Sequence, residues 1–248
     1  KLDVSALYKG CASIRTLAAD LCASSKMFTK ISSDPHREID WNLEASLHPE
    51  IGHLLRSRRH CHKPRSGVLI TGATGTVGSH LLRALASSCR DKLFCLCRSP
   101  GDLEPVLERL NVPRTNVVPV RGDLRATRFG LGESEWDQLS KDVGTIFHSA
   151  AQVSYALPYS ALRLSNVNGT MEVLRLASTG HSKRVVYISS LSALCPDVDM
   201  KGDHFGSEAR NLSLEQCPRM GGYGASKRVA AALVRDAVDH SSPDGIIV

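Results

Sequence analysis

A tyrosine and a lysine four residues apart, Tyr223 and Lys227, stand in the run Tyr-Gly-Ala-Ser-Lys. On a helix that spacing places phenol and ammonium on one face, one turn apart. The cation favours the phenolate, so Tyr223 could exchange a proton with a carbonyl or alcohol oxygen, while Lys227 could also hold a ribose. Ser190 lies 223 − 190 = 33 residues earlier, at the end of an apolar run. Its hydroxyl would hydrogen-bond the same substrate oxygen, and Ser192 is an alternative for that role. Tyr-x-x-x-Lys alone arises often by chance. Its meaning depends on what precedes it.

What precedes it is Thr71-Gly72-Ala73-Thr74-Gly75-Thr76-Val77-Gly78, directly after the apolar run 67–71. Gly72 would permit a tight turn, Gly75 would let backbone approach a pyrophosphate, and Gly78 would let a helix pack on a strand. The helix N-terminus would then offer N–H groups and a positive dipole end to phosphates. A plain glycine-rich turn is the rival reading. Arg98 ends the second apolar run, where an acidic residue would accept the ribose hydroxyls of NAD; an arginine suits a 2′-phosphate instead, so NADPH is the expected cofactor. Arg109 would be a second arm of that clamp or a surface cation. Asp123, in Gly122-Asp123-Leu124, would sit near the adenine amino group or serve as an ordinary turn residue. His60-Cys61-His62 are too close together to close a tetrahedral site without distant partners, so no metal is expected.

The elements that must position these groups follow from the hydropathy pattern. Short apolar runs at 67–71, 93–97, 116–120, 144–150, 184–190 and 245–248 read as strands. Between them, helical patterns cover 81–89, about 102–110, 133–141, 158–178 and 224–239. Strands alternating with helices demand a parallel sheet covered on both faces, a doubly wound α/β fold. Upstream, Ile14, Leu17, Ala18 and Leu21 recur at helical spacing over 13–23, and residues 24–66 with Pro35, Pro49 and Pro64 read as a linker.

Composition excludes several classes. The chain has 248 residues, 42% of them apolar, with 31 Lys+Arg against 25 Asp+Glu, a formal charge of +6. Five of those cations fall within 52–66, whereas from Gly67 onward the count is 20 basic to 18 acidic. The basic excess is therefore local to the linker, and nucleic acid is not an expected partner. Eight scattered cysteines without a Cys-x-x-Cys pair suit a reducing, cytoplasmic setting. No run of 18 apolar residues exists, so no membrane span is expected. The chain begins without Met and stops in an apolar run, Ile246-Ile247-Val248, which reads as a fragment of something longer.

Together these residues resemble an extended short-chain dehydrogenase/reductase, and more narrowly a thioester reductase domain. Such domains end nonribosomal peptide and polyketide synthetases, carboxylic acid reductases and aminoadipate reductases. The resemblance rests on TGATGTVGSHLL (71–82), CLCRSP (95–100), RGDL (121–124), the stretch 146–177, VVYISSLSA (185–193) and GGYGASKRVAAALV (221–234). Within 146–177, Pro158-Tyr-Ser-x-Leu-Arg163 followed by Asn166-Val-x-Gly-Thr170 carries the most weight. The likeness implies Ser190, Tyr223 and Lys227 as the catalytic set. It implies NADPH held by Thr71, Gly72, Thr74, Gly75, Thr76, Val77, Gly78, Arg98, Arg109, Asp123, Leu124 and Ala150, together with Tyr223 and Lys227. Ser190 stands where such domains commonly have Thr, and Ala231 where such helices often carry Glu; Asn166 reads as a structural or proton-relay residue, with the structural role preferred. Residues 67–248 would form the reductase domain, cut before its C-terminal substrate-binding part. Residues 1–24, with Val4-Ser-Ala-Leu-Tyr-Lys9 and Ser13–Leu21, resemble the last helix of a phosphopantetheine carrier, joined by a basic linker at 25–66. The implied activity is NADPH-dependent reduction of a carrier-bound acyl or peptidyl thioester to an aldehyde or alcohol. The alternatives are another extended reductase or epimerase acting on a nucleotide sugar or small ketone, and a non-catalytic dinucleotide-binding module.

Overall fold

In the computed structural model, which describes residues 39–56, 66–181, 183–193 and 213–241, the apolar runs pair into one five-stranded sheet. Its strands are β1 (Gly67–Thr71), β2 (Leu93–Cys97), β3 (Val117–Arg121), β4 (Val143–His148) and β5 (Arg184–Tyr187). The order across the sheet is β3-β2-β1-β4-β5, and every pairing is parallel. Two short helices precede the sheet, α1 (Trp41–Glu44) and α2 (Pro49–Arg56). Parallel neighbours need crossovers, and these contain α3 (Thr76–Ser88), α4 (Glu104–Arg109), α5 (Glu133–Asp142), and α6 (Tyr159–Arg163) running into α7 (Gly169–Ser178). After β5 comes α8 (Gly222–Asp239). This is the doubly wound α/β fold expected from the sequence, and chain order reverses between β1 and β4, the place where such sheets hold ligands beyond their strand ends.

The two faces of the sheet explain why β1 and β2 read as unbroken apolar runs. Val68, Ile70, Leu93 and Cys95 pack in one cluster with Leu82 of α3 and Leu103 and Leu107 of the next crossover. Leu69, one residue out of phase, points the other way, level with Ile146 and through it Val185, and all three are buried. A strand covered on both faces has no polar side to alternate with. Burial also silences the β2 thiols: it pushes Cys95 up to about 12, with Cys97 adding to the effect, and raises Cys97 too.

Three local expectations need correction. Trp41–Glu44 and Pro49–Arg56, within the stretch read as linker, are helical. Asp40 caps α1 by accepting from the N–H groups of Asn42 and Leu43 at 3.1 Å. Pro49 sits at the first position of α2, where a missing N–H costs nothing. Ile51 and Leu55, four apart, are buried, and the helices are tied on by Glu44 to Tyr159 and Arg163 and by Glu50 to Arg175. The single helix expected over 158–178 is interrupted by a π-helical turn, Leu164–Asn168, that buries Asn166 and Val167. Strand β5 stops at Tyr187 rather than at Ser190, because the chain turns into a 3₁₀ segment at Leu191–Ala193. The carrier-like helix within 1–24 and the strand expected at 245–248 lie outside the described residues.

Candidate active site

At the C-terminal end of β1 the backbone turns through Gly72, whose φ of +74° lies in the left-handed region that favours glycine. A Cβ there would come within 2.8 Å of the Ala150 backbone, and one on Gly78 would lie 2.1 Å from the Gly72 carbonyl oxygen. The turn therefore folds tightly onto the first turn of α3 and onto the end of β4. Gly75 is the N-cap of α3 and has no side chain to satisfy the first-turn N–H groups. Thr74, Gly75, Thr76 and Val77 are exposed, so this helix start faces outward with its donors. Such a cradle can hold a phosphate.

Beyond β2, Arg98 is exposed, and Arg109, the last residue of α4, is exposed as well. Asp123 follows β3 and is gripped by Arg125, which donates from Nε and Nη2 to both carboxylate oxygens at 2.6–3.1 Å. The hydrogen bonds from Arg125, and more weakly the charge of Arg98, hold the Asp123 carboxyl below the usual range. Leu124 packs against Gly169, where a Cβ would stand 3.1 Å from its own Cβ. Arg125 was not singled out from the sequence, although it lies two residues from Asp123 and places another cation in the Arg98–Asp123 neighbourhood.

The catalytic candidates converge from β5 and α8. Tyr223 and Lys227 are both buried in the first turns of α8. Lys227 donates from Nζ to the Ile188 carbonyl at 2.7 Å, just past β5. Gly224 lies against the Ser192 carbonyl, where a Cβ would be 2.5 Å away, and Arg228 donates to Ala193 at 2.7 Å. Ser190 sits in this same turn, and its hydroxyl accepts from the Ser192 N–H at 3.2 Å, which leaves its own proton to donate. Burial lowers Lys227 to about 8. Tyr155, from the loop after β4, sets its ring edge-on to Tyr223 at 5.5 Å while remaining 77% exposed.

A buried chain of hydrogen bonds connects the glycine turn to α8. Thr170 donates to the Asn166 carbonyl at 2.7 Å, so its oxygen must accept the contact from His148 Nε2 at 3.0 Å. His148 therefore carries its proton on Nε2, and its Nδ1 accepts from the Thr71 hydroxyl at 2.7 Å. Burial, helped by the charge of Lys227, keeps His148 neutral by lowering it to about 3. The Thr71 oxygen accepts in turn from the Ala150 N–H at 3.3 Å. At the far end Asn166 donates to Ser226 at 2.9 Å, and Ser226 donates to the Tyr223 carbonyl at 2.8 Å. Asn166 also exchanges two bonds with the Gln152 backbone, which fills its amide and agrees with a structural role. His148 was legible only as a polar residue at the end of an apolar strand.

A β3-β2-β1-β4-β5 sheet with a glycine turn after its central strand and a Tyr-x-x-x-Lys helix after β5 defines a domain of the extended short-chain dehydrogenase/reductase class of oxidoreductases. The sequence profile of the Male sterility protein family matches residues 70–248, and the chain belongs to that family. It is 35% identical over 189 residues to glycine betaine reductase ATRR of Emericella nidulans, covering 68% of this chain and 14% of that protein. To the large subunit of L-2-aminoadipate reductase of Penicillium chrysogenum it is 34% identical over 191 residues, again 68% of this chain and 14% of the relative. The solved terminal R domain from the myxalamid PKS-NRPS biosynthetic pathway matches with a TM-score of 0.66 and 30% identity, over 81% of this chain and 53% of that one. The chain thus spans about half of that solved domain and a small part of the two fungal reductases.

Proposed function

We propose that this chain is the cofactor-binding and catalytic portion of a thioester reductase that releases an acyl or peptidyl group from the phosphopantetheine arm of an adjacent carrier domain. The observation that carries it is the Lys227 bond to the Ile188 carbonyl, which ties the helix bearing Tyr223 and Lys227 to the turn that holds Ser190, in a chain whose relatives are named reductases. The residues present fit a nicotinamide dinucleotide: the turn has no room for a side chain at Gly72 or Gly78, and the helix start beside it exposes its donors. Thr71, Gly72, Thr74, Gly75, Thr76, Val77 and Gly78 would hold the pyrophosphate region, Asp123, Leu124 and Ala150 the adenosine side, and Arg98 with Arg109 a 2′-phosphate. When bound, NADPH supplies the hydride.

The chain's own groups handle the oxygen. As negative charge develops on the thioester carbonyl, Tyr223 and Ser190 donate hydrogen bonds to it, and Tyr223 supplies the proton. Lys227, fixed by Ile188, holds the ribose and places a positive charge beside the phenol. Loss of the thiol leaves an aldehyde. To test this, the intact protein that carries this chain is given NADPH with an acyl group on its native carrier, and separately with the same acyl group as a free small thioester, a nucleotide sugar and a ketone. Carrier-bound thioester should be turned over best, since tethering raises its effective concentration. Turnover of sugars or ketones without carrier thioesters would replace this reading with that of an ordinary extended reductase or epimerase.

A further inference from the structure

The Lys227 ammonium sits over the ring of Tyr187, 4.2 Å from its centroid. Tyr187 is the last residue of β5, and the next residue, Ile188, supplies the carbonyl that takes one of the three ammonium protons at 2.7 Å. The Tyr187 hydroxyl reaches back to the Lys227 carbonyl at 3.5 Å, and its ring lies 5.6 Å from the His148 ring. We propose that Tyr187 is the positioning residue for Lys227: the negative face of its ring and the Ile188 carbonyl together hold the buried ammonium charged and in place, with two donors left for cofactor and phenol.

A lysine 4% exposed needs such help. Burial opposes its charge, and among the described residues no carboxylate pairs with it. The titratable groups around it are His148 from β4, which is held neutral, Tyr187 from β5 and Tyr223 from its own helix. Burial, with Tyr223 nearby, raises the Tyr187 phenol, so this ring meets the cation as a neutral π face. A ring of the same shape with its electrons withdrawn would fill the space and lose the attraction.

This inference rests on the role given to Lys227 above, but its test does not require turnover. Lys227 is titrated by carbon-13 NMR, its signal assigned with Lys227→Arg, in the parent, in Tyr187→Phe, in Tyr187→Leu, and with a trifluorinated phenylalanine at position 187. The phenylalanine form should titrate with the parent, whereas the leucine and trifluorinated forms should bind the Lys227 proton about tenfold more weakly. NADPH affinity, read by fluorescence, should follow the same split. The trifluorinated ring keeps the packing, so it decides the matter even if Tyr187→Leu does not fold. If the trifluorinated form titrates with the parent, Tyr187 is a packing residue and the proposal fails. A titration split among these forms, with a parent that never reduces a thioester, would instead refute the proposed function and leave the Lys227 platform standing.

Discussion

In the proposed function, Arg98 is the residue on which cofactor choice would turn. An arginine at the end of β2 can meet a 2′-phosphate through charge-assisted hydrogen bonds, each contributing about 1.5–3 kcal/mol. The protein should therefore bind NADPH more tightly than NADH, and Arg98→Asp should lose most of that preference, as read by fluorescence titration of both cofactors. Equal affinity in the parent would remove the clamp from the account. Arg125 locks Asp123 close by, so part of the positive field should survive the change. Lys227 makes a separate prediction about stability. Its folded value, about 8, lies below its ordinary 10.5, so between those pH values the unfolded chain binds more protons and stability carried by Lys227 rises with pH. Cys95, raised from 9.0 to about 12, acts in the opposite sense at higher pH. Comparing urea unfolding of the parent with Lys227→Met isolates the lysine. The parent should gain on the variant from pH 7 toward pH 10, and a flat difference would mean that Lys227 is not buried as described.

At the scale of elements, the docking of α1 and α2 is the feature that the sequence concealed. Glu44 accepts from the Tyr159 hydroxyl at 2.6 Å and from Arg163, so the two ends of the Pro158–Arg163 stretch are held by a helix more than a hundred residues upstream. Burial, with Glu44 as acceptor, raises the Tyr159 phenol well above its usual range, so this bond lasts across physiological pH. Glu44→Gln should destabilise the fold by about 1–3 kcal/mol, because a half-buried charged acceptor is replaced by a weaker one. Urea midpoints of parent and variant measure this, and no change would mean that α1 does not dock. The sheet itself was legible, since two-sided burial leaves unbroken apolar runs and glycine marks the turn. The α1–α2 pair was not, because four- and eight-residue helices carry too little periodicity, and Pro49 reads as a breaker until its place at a helix start is known. Tyr223, Lys227 and the glycines were legible from spacing. Tyr187, His148 and Tyr155 were not, because their positions depend on which strand and loop ends meet in space.

Across the whole molecule, the glycine turn and α8 are far apart in sequence and joined through His148, Thr170, Asn166 and Ser226. The proposed cofactor cradle and proton donor are thus parts of one hydrogen-bonded body, and the candidate residues gather at the C-terminal ends of β1, β4 and β5. No described helix is long and apolar enough to cross a membrane. The most direct test of reductive release uses NADPH deuterated at the transferring position, an acyl group on its carrier, and the intact protein that carries this chain, with the product read by mass spectrometry. The account predicts an aldehyde one mass unit heavy, formed about two to three orders of magnitude more slowly by Tyr223→Phe while NADPH binding is preserved. An unlabelled product, or near-parent turnover by Tyr223→Phe, would contradict it.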